Sequence, residues 1–564
     1  MKLRSFLTVF VAALVGTGPL VSWGQALQTW GQAPQSVGTG PGGSVGTGPE
    51  TWFHVIGGNA SKEGLTADLE AIRDAGVSGI QFFHGGRKSG ATPWPGLEDR
   101  QIPCLSAAWD DLVAHAAREC RRLGLTFKMQ NCPGWSMAGG PWITDETAQR
   151  RLVGAATHVR SDGQAHAVAL KRPEMPHPKA RDYRDVAVLA FPTVAGDADG
   201  ECVPRNPLTA LRILDPAPAA KPQTLDFVFE RPVTVRTLVL PSVARLAQQA
   251  WVCEPDLHLV VSAERADGTW ATVADRDIPR GNWEEYLPTE GLQSVALRPC
   301  PTRRLRLAFS GSHPVHLDSV RFYAGARLDN WEAFSGRSLR ALVRGADTFA
   351  DGDVVAFDAI RDVTAETANG VFTGALPPGD WTLLRVGHVN SGFENGPAPD
   401  CATGWECDKL DPRGIEANFK GYVGRLLDGP LESVGMDGIL LDSWEAWRPD
   451  WTWRMEGYFR ELKGYDVRRR LPALFGYVID GGDATRNFLR DWRDAVSTLI
   501  ERNFYRRMTE LAKERGLTCQ YETAFGDVLP GDILRYWKYA DTPMCEFWQP
   551  HRDDGYVGSW QNKP

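Results

Sequence analysis

This 564-residue chain lacks most of the signatures that assign a function quickly. Its ten cysteines, at 104, 120, 132, 202, 253, 300, 401, 407, 519 and 545, form no CxxC pair and no other metal-ligand spacing. They are too few for a disulfide scaffold, and Cys401 and Cys407 are the nearest candidates for one bridge. There is no GxSxG elbow, no HExxH, no P-loop and no EF-hand loop, which sets aside the common hydrolase, metalloprotease, nucleotide and calcium-switch motifs. A basic excess is also missing. The net charge of -8 argues against nucleic acid as the partner, because phosphate binding needs a basic face. After the first residues no run of about 18 apolar side chains occurs, so no membrane span is expected.

What is present begins with a targeting pattern. Lys2 and Arg4 precede the apolar run "FLTVFVAALVG", and small residues follow near "SWGQA". That is the order of a secretory signal over residues 1–26, and it predicts export to the periplasm or the outside. Residues 27–49 repeat "WGQA" and "SVGTGP" and read as a low-complexity linker. Hydrophobic residues at 43% then allow a large core. The 21 tryptophans stand out beside 23 phenylalanines, and indoles stack well on the apolar faces of sugars.

From residue 50 strands alternate with helices. "TWFHVIGG", "SGIQFFHGG" and "LTFKMQNCPGW" read as strands. A helix is expected between Thr66 and Gly76, and another between an N-cap at Ser106 and a stop at Gly124. This texture over 50–159 predicts parallel βαβ units, the first part of an α/β barrel. No glycine fingerprint follows the first strand, so a dinucleotide fold gains no support. Over 160–375 alternating runs such as "DLHLVVSAER" and "RRLRLAFSG", with turns such as "ADGTW", predict an inserted β-sandwich-like module. The α/β texture returns over 376–564, with barrel strands expected near 382, 438, 518 and 542.

Functional groups of parallel α/β barrels gather at the C-terminal strand ends. Asn131 and Trp135 follow the third strand, Asp442 and Glu445 follow "GILL", Glu522 ends "LTCQYET", and Glu546 with Trp548 closes "TPMCEFW". His54 and His84 end the first two strands. A lone acid after a strand can simply cap a helix, and Asp442 is open to that reading. Several acids at strand ends beside aromatics instead suit glycoside hydrolysis, where one carboxyl protonates the leaving oxygen and another activates water or attacks.

The stretches "NCPGWSMAGGPWI", "LLDSWEAW", "YET" and "CEFW", with the opening "WFHVIGGNASKEGL" and the helical "KGYDVRRRLPAL", resemble glycoside hydrolase family 106, bacterial α-L-rhamnosidases. The resemblance covers most of 50–155 and 380–564. It implies inverting hydrolysis of terminal α-L-rhamnose from oligo- or polysaccharides on a (β/α)8 barrel, with calcium helping to hold the sugar hydroxyls. By match to "SWEA" Glu445 resembles the general acid, and by match to "EFW" Glu546 resembles an active-site acid serving sugar, calcium or water. Glu522 and Asp442 would support them, and Asn131, Trp135, Trp142, His84 and Trp548 would line the sugar subsite. Glu445 between two indoles would have its charged form desolvated and its pKa raised. Family members continue past "EFW" into a further strand with another glutamate. The expectation here is therefore at most seven barrel strands and an N-terminal portion of such an enzyme. The rival readings are a carbohydrate-binding protein built on an incomplete barrel, and a glycosidase of the same type acting on another sugar.

Overall fold

The structure is a computed structural model that describes residues 48–85, 101–247, 252–253, 255–282, 292–345, 347, 349–523 and 531–545. The segments read as signal and linker lie almost wholly outside these residues. The fold is mixed α/β, organised on one six-stranded parallel sheet. Its strands are β1 (Glu50–Ile56), β2 (Gly79–Gly85), β3 (Thr126–Gln130), β4 (Gly438–Leu441), β5 (Thr518–Thr523) and β6 (Thr542–Cys545), hydrogen-bonded in that order.

The sheet curls. In a flat sheet β2 and β5 would stand about 14 Å apart, three strand spacings. Yet the Gln81 amide donates to Gln520 Oε1 at 3.0 Å across the concave side. Glu50 joins them, accepting from Gln81 at 2.6 Å, Gln520 at 2.9 Å and Thr126 at 2.8 Å, and pairing with Lys128 at 2.7 Å. Burial opposes its charge, but these donors hold the Glu50 carboxyl below its usual range. A polar plug thus closes the N-terminal end of the half-barrel.

The convex side is apolar. Ile80, Phe82, Phe127, Met129, Ile439, Leu441, Cys519 and Tyr521 are all at most 1% exposed and belong to the main core. The helix Ala107–Leu123 covers part of it with Trp109, Leu112, Val113 and Cys120. Ser106 caps that helix through Trp109 N, and Gly124, at φ 71°, ends it in the left-handed region, as the sequence predicts. The preceding helix, Lys62–Asp74, starts a turn earlier than expected, because Ser61 caps it by accepting from Gly64 N at 3.0 Å.

One expected barrel strand is not in the barrel. The run near 382 forms Gly379–Asn390, antiparallel to both Arg150–Ser161 and Arg181–Pro192 in a separate four-stranded sheet. β3 instead passes directly to β4, with Gly438 opposite Lys128 and Asn131 N donating to Leu440 O at 2.9 Å. An apolar run does not itself distinguish a buried parallel strand from the centre of an antiparallel sheet. The strands of this parallel sheet therefore number six among the described residues.

Between these parts lie two antiparallel sheets around a core of their own. One joins Trp270–Asp277, Leu257–Glu264, Thr302–Gly311 and Gln223–Val233; the other joins Gln293–Ala296, Thr237–Leu240 and Arg321–Tyr323. Phe227 and Phe322 bridge them at 4.9 Å. Leu257–Glu264 alternates strictly between buried and half-buried residues, the pattern of a strand with one face in a core. Among the described residues no helix is long and apolar enough to cross a membrane.

Candidate active site

Strand parity decides what reaches the mouth of the half-barrel. Side chains alternate faces along a strand, so the residues two beyond the plug share its concave face: Trp52, Phe83, Gln130 and Glu522. Trp52 and Phe83 pack at 4.7 Å. Asp442, the first residue after β4, enters the same layer because Gln130 Nε2 donates to its Oδ2 at 2.8 Å. Leu441 pairs with Tyr521, so Asp442 and Glu522 hold successive corresponding places on neighbouring strands, whose backbones run about 4.8 Å apart. Both are nearly buried, 4% and 2% exposed. Two carboxylates are thus side by side at the C-terminal rim.

Above this layer Trp135 lies 5.5 Å from His54, and His54 lies 4.9 Å from Phe83. Gly85 makes the overlap possible: a Cβ there would come within 2.6 Å of the Trp135 ring. Burial lowers the His54 pKa, favouring neutral imidazole. The result is an aromatic floor beside two acids.

Glu445 sits on the loop that leaves β4. No helix begins before Met455, so Asp442 caps nothing, and its second oxygen accepts from Ser443 N at 2.9 Å. Trp444 is fully buried and donates from Nε1 to Trp447 O at 2.9 Å. Trp447 is buried against Phe393 at 4.9 Å, with the Arg151 guanidinium 4.9 Å over its ring. It holds φ at 57°, a left-handed conformation that a bulky residue adopts only when its surroundings enforce it. The two indoles anchor the loop in the core on either side, and Glu445 between them is half-buried, with Ser443 Oγ 3.4 Å from Oε1.

Beneath Trp444 lies a charged pair that the motif reading did not anticipate. Lys409 Nζ, fully buried, donates to Glu406 Oε2 at 2.7 Å and stands 5.5 Å from the Trp444 ring. Burial pushes the Glu406 carboxyl up, and the Lys409 ammonium opposes it. Next to them burial raises Asp408 to about 7, although Thr452 Oγ1 donates to it at 2.6 Å.

Three residues expected at the sugar subsite lie elsewhere. His84 has the opposite parity to Phe83 and packs against Trp109 of the covering helix at 6.2 Å. Burial lowers its pKa to about 4. Asn131 is fully buried; it donates to Met137 O at 2.7 Å and accepts from Asn418 Nδ2 at 2.8 Å. Trp142 donates to Asn418 Oδ1 at 3.2 Å and stacks on Tyr422 at 5.8 Å. These side chains tie loops to the convex core. Glu546 and Trp548 lie outside the described residues. Gln130 and Trp52 are the concave-face residues absent from the expected set, and His54 is there as a strand-end residue without an assigned place in the subsite. The period-2 parity of "TWFH" and "FKMQ" is the signal that would have selected them.

Paired carboxylates over an aromatic floor at the rim of a parallel sheet are the equipment of a glycoside hydrolase. Residues 45–561 match the model of glycoside hydrolase family 106, alpha-L-rhamnosidase, and the chain belongs to that family. The fold matches the solved structure of a rhamnosidase from Novosphingobium sp. PP1Y with a TM-score of 0.70 and 26% identity, over 90% of this chain and 49% of that one. A putative beta-glucuronidase from Formosa agariphila is 26% identical over 501 residues, 88% of this chain and 31% of that protein. The chain therefore spans about half the length of the first and about a third of the second.

Proposed function

We propose that this chain carries the active-site carboxyls of an exported, inverting α-L-rhamnosidase that removes terminal rhamnose from a glycan. The observation that carries the reading is the adjacency of Asp442 and Glu522 on the concave rim, with half-buried Glu445 on the same loop as Asp442. Glu445 donates its proton to the glycosidic oxygen as the bond to the anomeric carbon breaks. Water attacks that carbon from the opposite face and loses its proton to a second carboxylate, about 6.5–9.5 Å from the acid in an inverting pair. Glu522 and Glu546 are the residues proposed for the base and for contact with the sugar hydroxyls. Asp442, fixed by Gln130 and Ser443 N, positions the loop. Trp135 and His54 supply the surface on which the sugar's apolar face rests. The six strands are read as part of a (β/α)8 barrel, and residues 1–26 as the export signal.

Calcium, implied by the family resemblance, prefers about six to eight oxygen ligands. Among the described residues no group of three or more His, Cys, Asp or Glu could hold a metal ion. Each step of the hydrolysis proposed above uses the chain's own carboxyls.

The test is release of the aryl group from an aryl α-L-rhamnoside by the 564-residue chain, with calcium and with chelator. An aryl β-glucuronide runs in parallel, because the curated relative bears that name. The expected result is rhamnoside cleavage with β-rhamnose as first product, falling about 10³-fold in Glu445→Gln. Cleavage of the glucuronide alone would overturn the sugar, α-rhamnose as first product the inversion, and an active Glu445→Gln the acid. A folded chain that binds rhamnosides without cleaving them would favour the carbohydrate-binding reading.

A further inference from the structure

Cys401 is near Cys407 in sequence but not in its surroundings. Cys407 is fully buried and its backbone N donates to Ala138 O at 3.0 Å. Cys401 occupies the short turn Asp400–Ala402, exposed, and its Sγ lies 3.1 Å from the carbonyl oxygen of Cys104. Cys104 itself is 3% exposed, two residues before the Ser106 cap. A thiol this close to the other cysteine's own carbonyl is within a side-chain rotation of its sulfur.

The segment that carries Cys401 flanks the candidate site on two sides. Its Pro397 O accepts from Trp135 N at 3.0 Å, and its Phe393 packs on Trp447 at 4.9 Å. Gly134 approaches so closely that a Cβ would come within 2.1 Å of Pro397 O. A bond between positions 104 and 401 would staple this segment to the helix Ala107–Leu123. It would also close a loop of 297 residues in the unfolded chain, and long loops are where a cross-link restricts that chain most.

We propose that Cys104 and Cys401 form a disulfide when the chain meets an oxidising compartment, which rests on the export reading above. Exposed Cys401, as thiolate, attacks an external disulfide such as oxidised glutathione and releases one glutathione thiolate. Cys104 then displaces the second glutathione from the mixed disulfide, and its proton passes to the departing thiolate. Two protein thiols are oxidised and one external disulfide is reduced to two thiols. Burial pushes the Cys104 thiol up, so the second displacement is the slow one.

The experiment uses the full chain, purified reduced, exposed to oxidised glutathione, alkylated and digested without reductant. The expected product is a linked pair of peptides carrying Cys104 and Cys401, with a melting temperature several degrees above the reduced form. Cys401→Ser should lose both the link and the shift. A link from Cys401 to Cys407, lasting glutathione on Cys401, or full alkylation of both thiols would overturn the proposal. The same peptide map on protein recovered from a periplasm tests export separately: reduced thiols there, with the link forming in vitro, would count against export and not against the pairing.

Discussion

The two faces of the curled sheet are made by the same strands, one residue out of step, and they carry opposite chemistry. On the concave face Glu50, Lys128, Gln81 and Gln520 form a polar plug, and Gln130, Asp442 and Glu522 rise above it. On the convex face Ile80, Phe82, Met129 and Leu441 meet helices, and the polar side chains of His84 and Asn131 serve packing. Parallel strands are usually covered on both sides and apolar on both. A strand that pays for carboxylates on one side is spending stability on chemistry, and the comparison says which side that is.

The largest effect should come from the concave face. Asp442→Asn removes the charge that Gln130 and Ser443 N orient but keeps the shape. Turnover of the aryl rhamnoside should fall about 10²–10³-fold, because Asp442 positions the loop that carries the acid Glu445, while the melting temperature moves by no more than a degree or two. Glu522→Gln should behave alike. Loss of stability with unchanged kcat would erase the distinction between the faces.

Asn131→Ala should do the reverse. It strands Met137 O and leaves the Asn418 amide only its 3.4 Å bond to the carbonyl of residue 131, in a fully buried place, a loss of about 2–3 kcal/mol. Denaturant unfolding reads it directly. The kcat of the folded fraction should stay within about twofold; a fall comparable to that of Asp442→Asn would return Asn131 to the sugar subsite.

Local signals made part of this legible and long-range pairing hid the rest. Ser106 and Gly124 bound their helix because capping is decided within one turn. The six parallel strands are visible as apolar runs, but so is Gly379–Asn390, whose antiparallel partners lie far away in sequence. The acids at the ends of β4 and β5 follow from the barrel rule alone. His84 and Asn131 do not separate from them by that rule, because position along a strand says nothing about face. "QFFH" shows the difficulty: Phe82 and Phe83 look alike, and only the contacts of each reveal that His84 goes with the first.

The smallest expected effect probes that parity through pH. Burial holds the His84 imidazole neutral in the folded protein down to about 4, against an ordinary value of 6.5. Below pH 6.5 the unfolded chain takes up a proton that the folded chain refuses, so stability falls as pH falls and the loss is complete near pH 4. At pH 5.5 this one group accounts for about 1.4 kcal/mol. His84→Leu should flatten the stability profile between pH 7 and 5.5 by that amount, with only partial flattening overall, because burial holds His388 down to about 3 with the same sign. A carboxylate-facing histidine on the concave rim would behave oppositely: its pKa would rise on folding, and its replacement would cost stability below pH 6.5. The slope of one variant therefore decides whether burial holds the His84 imidazole neutral or a carboxylate faces it.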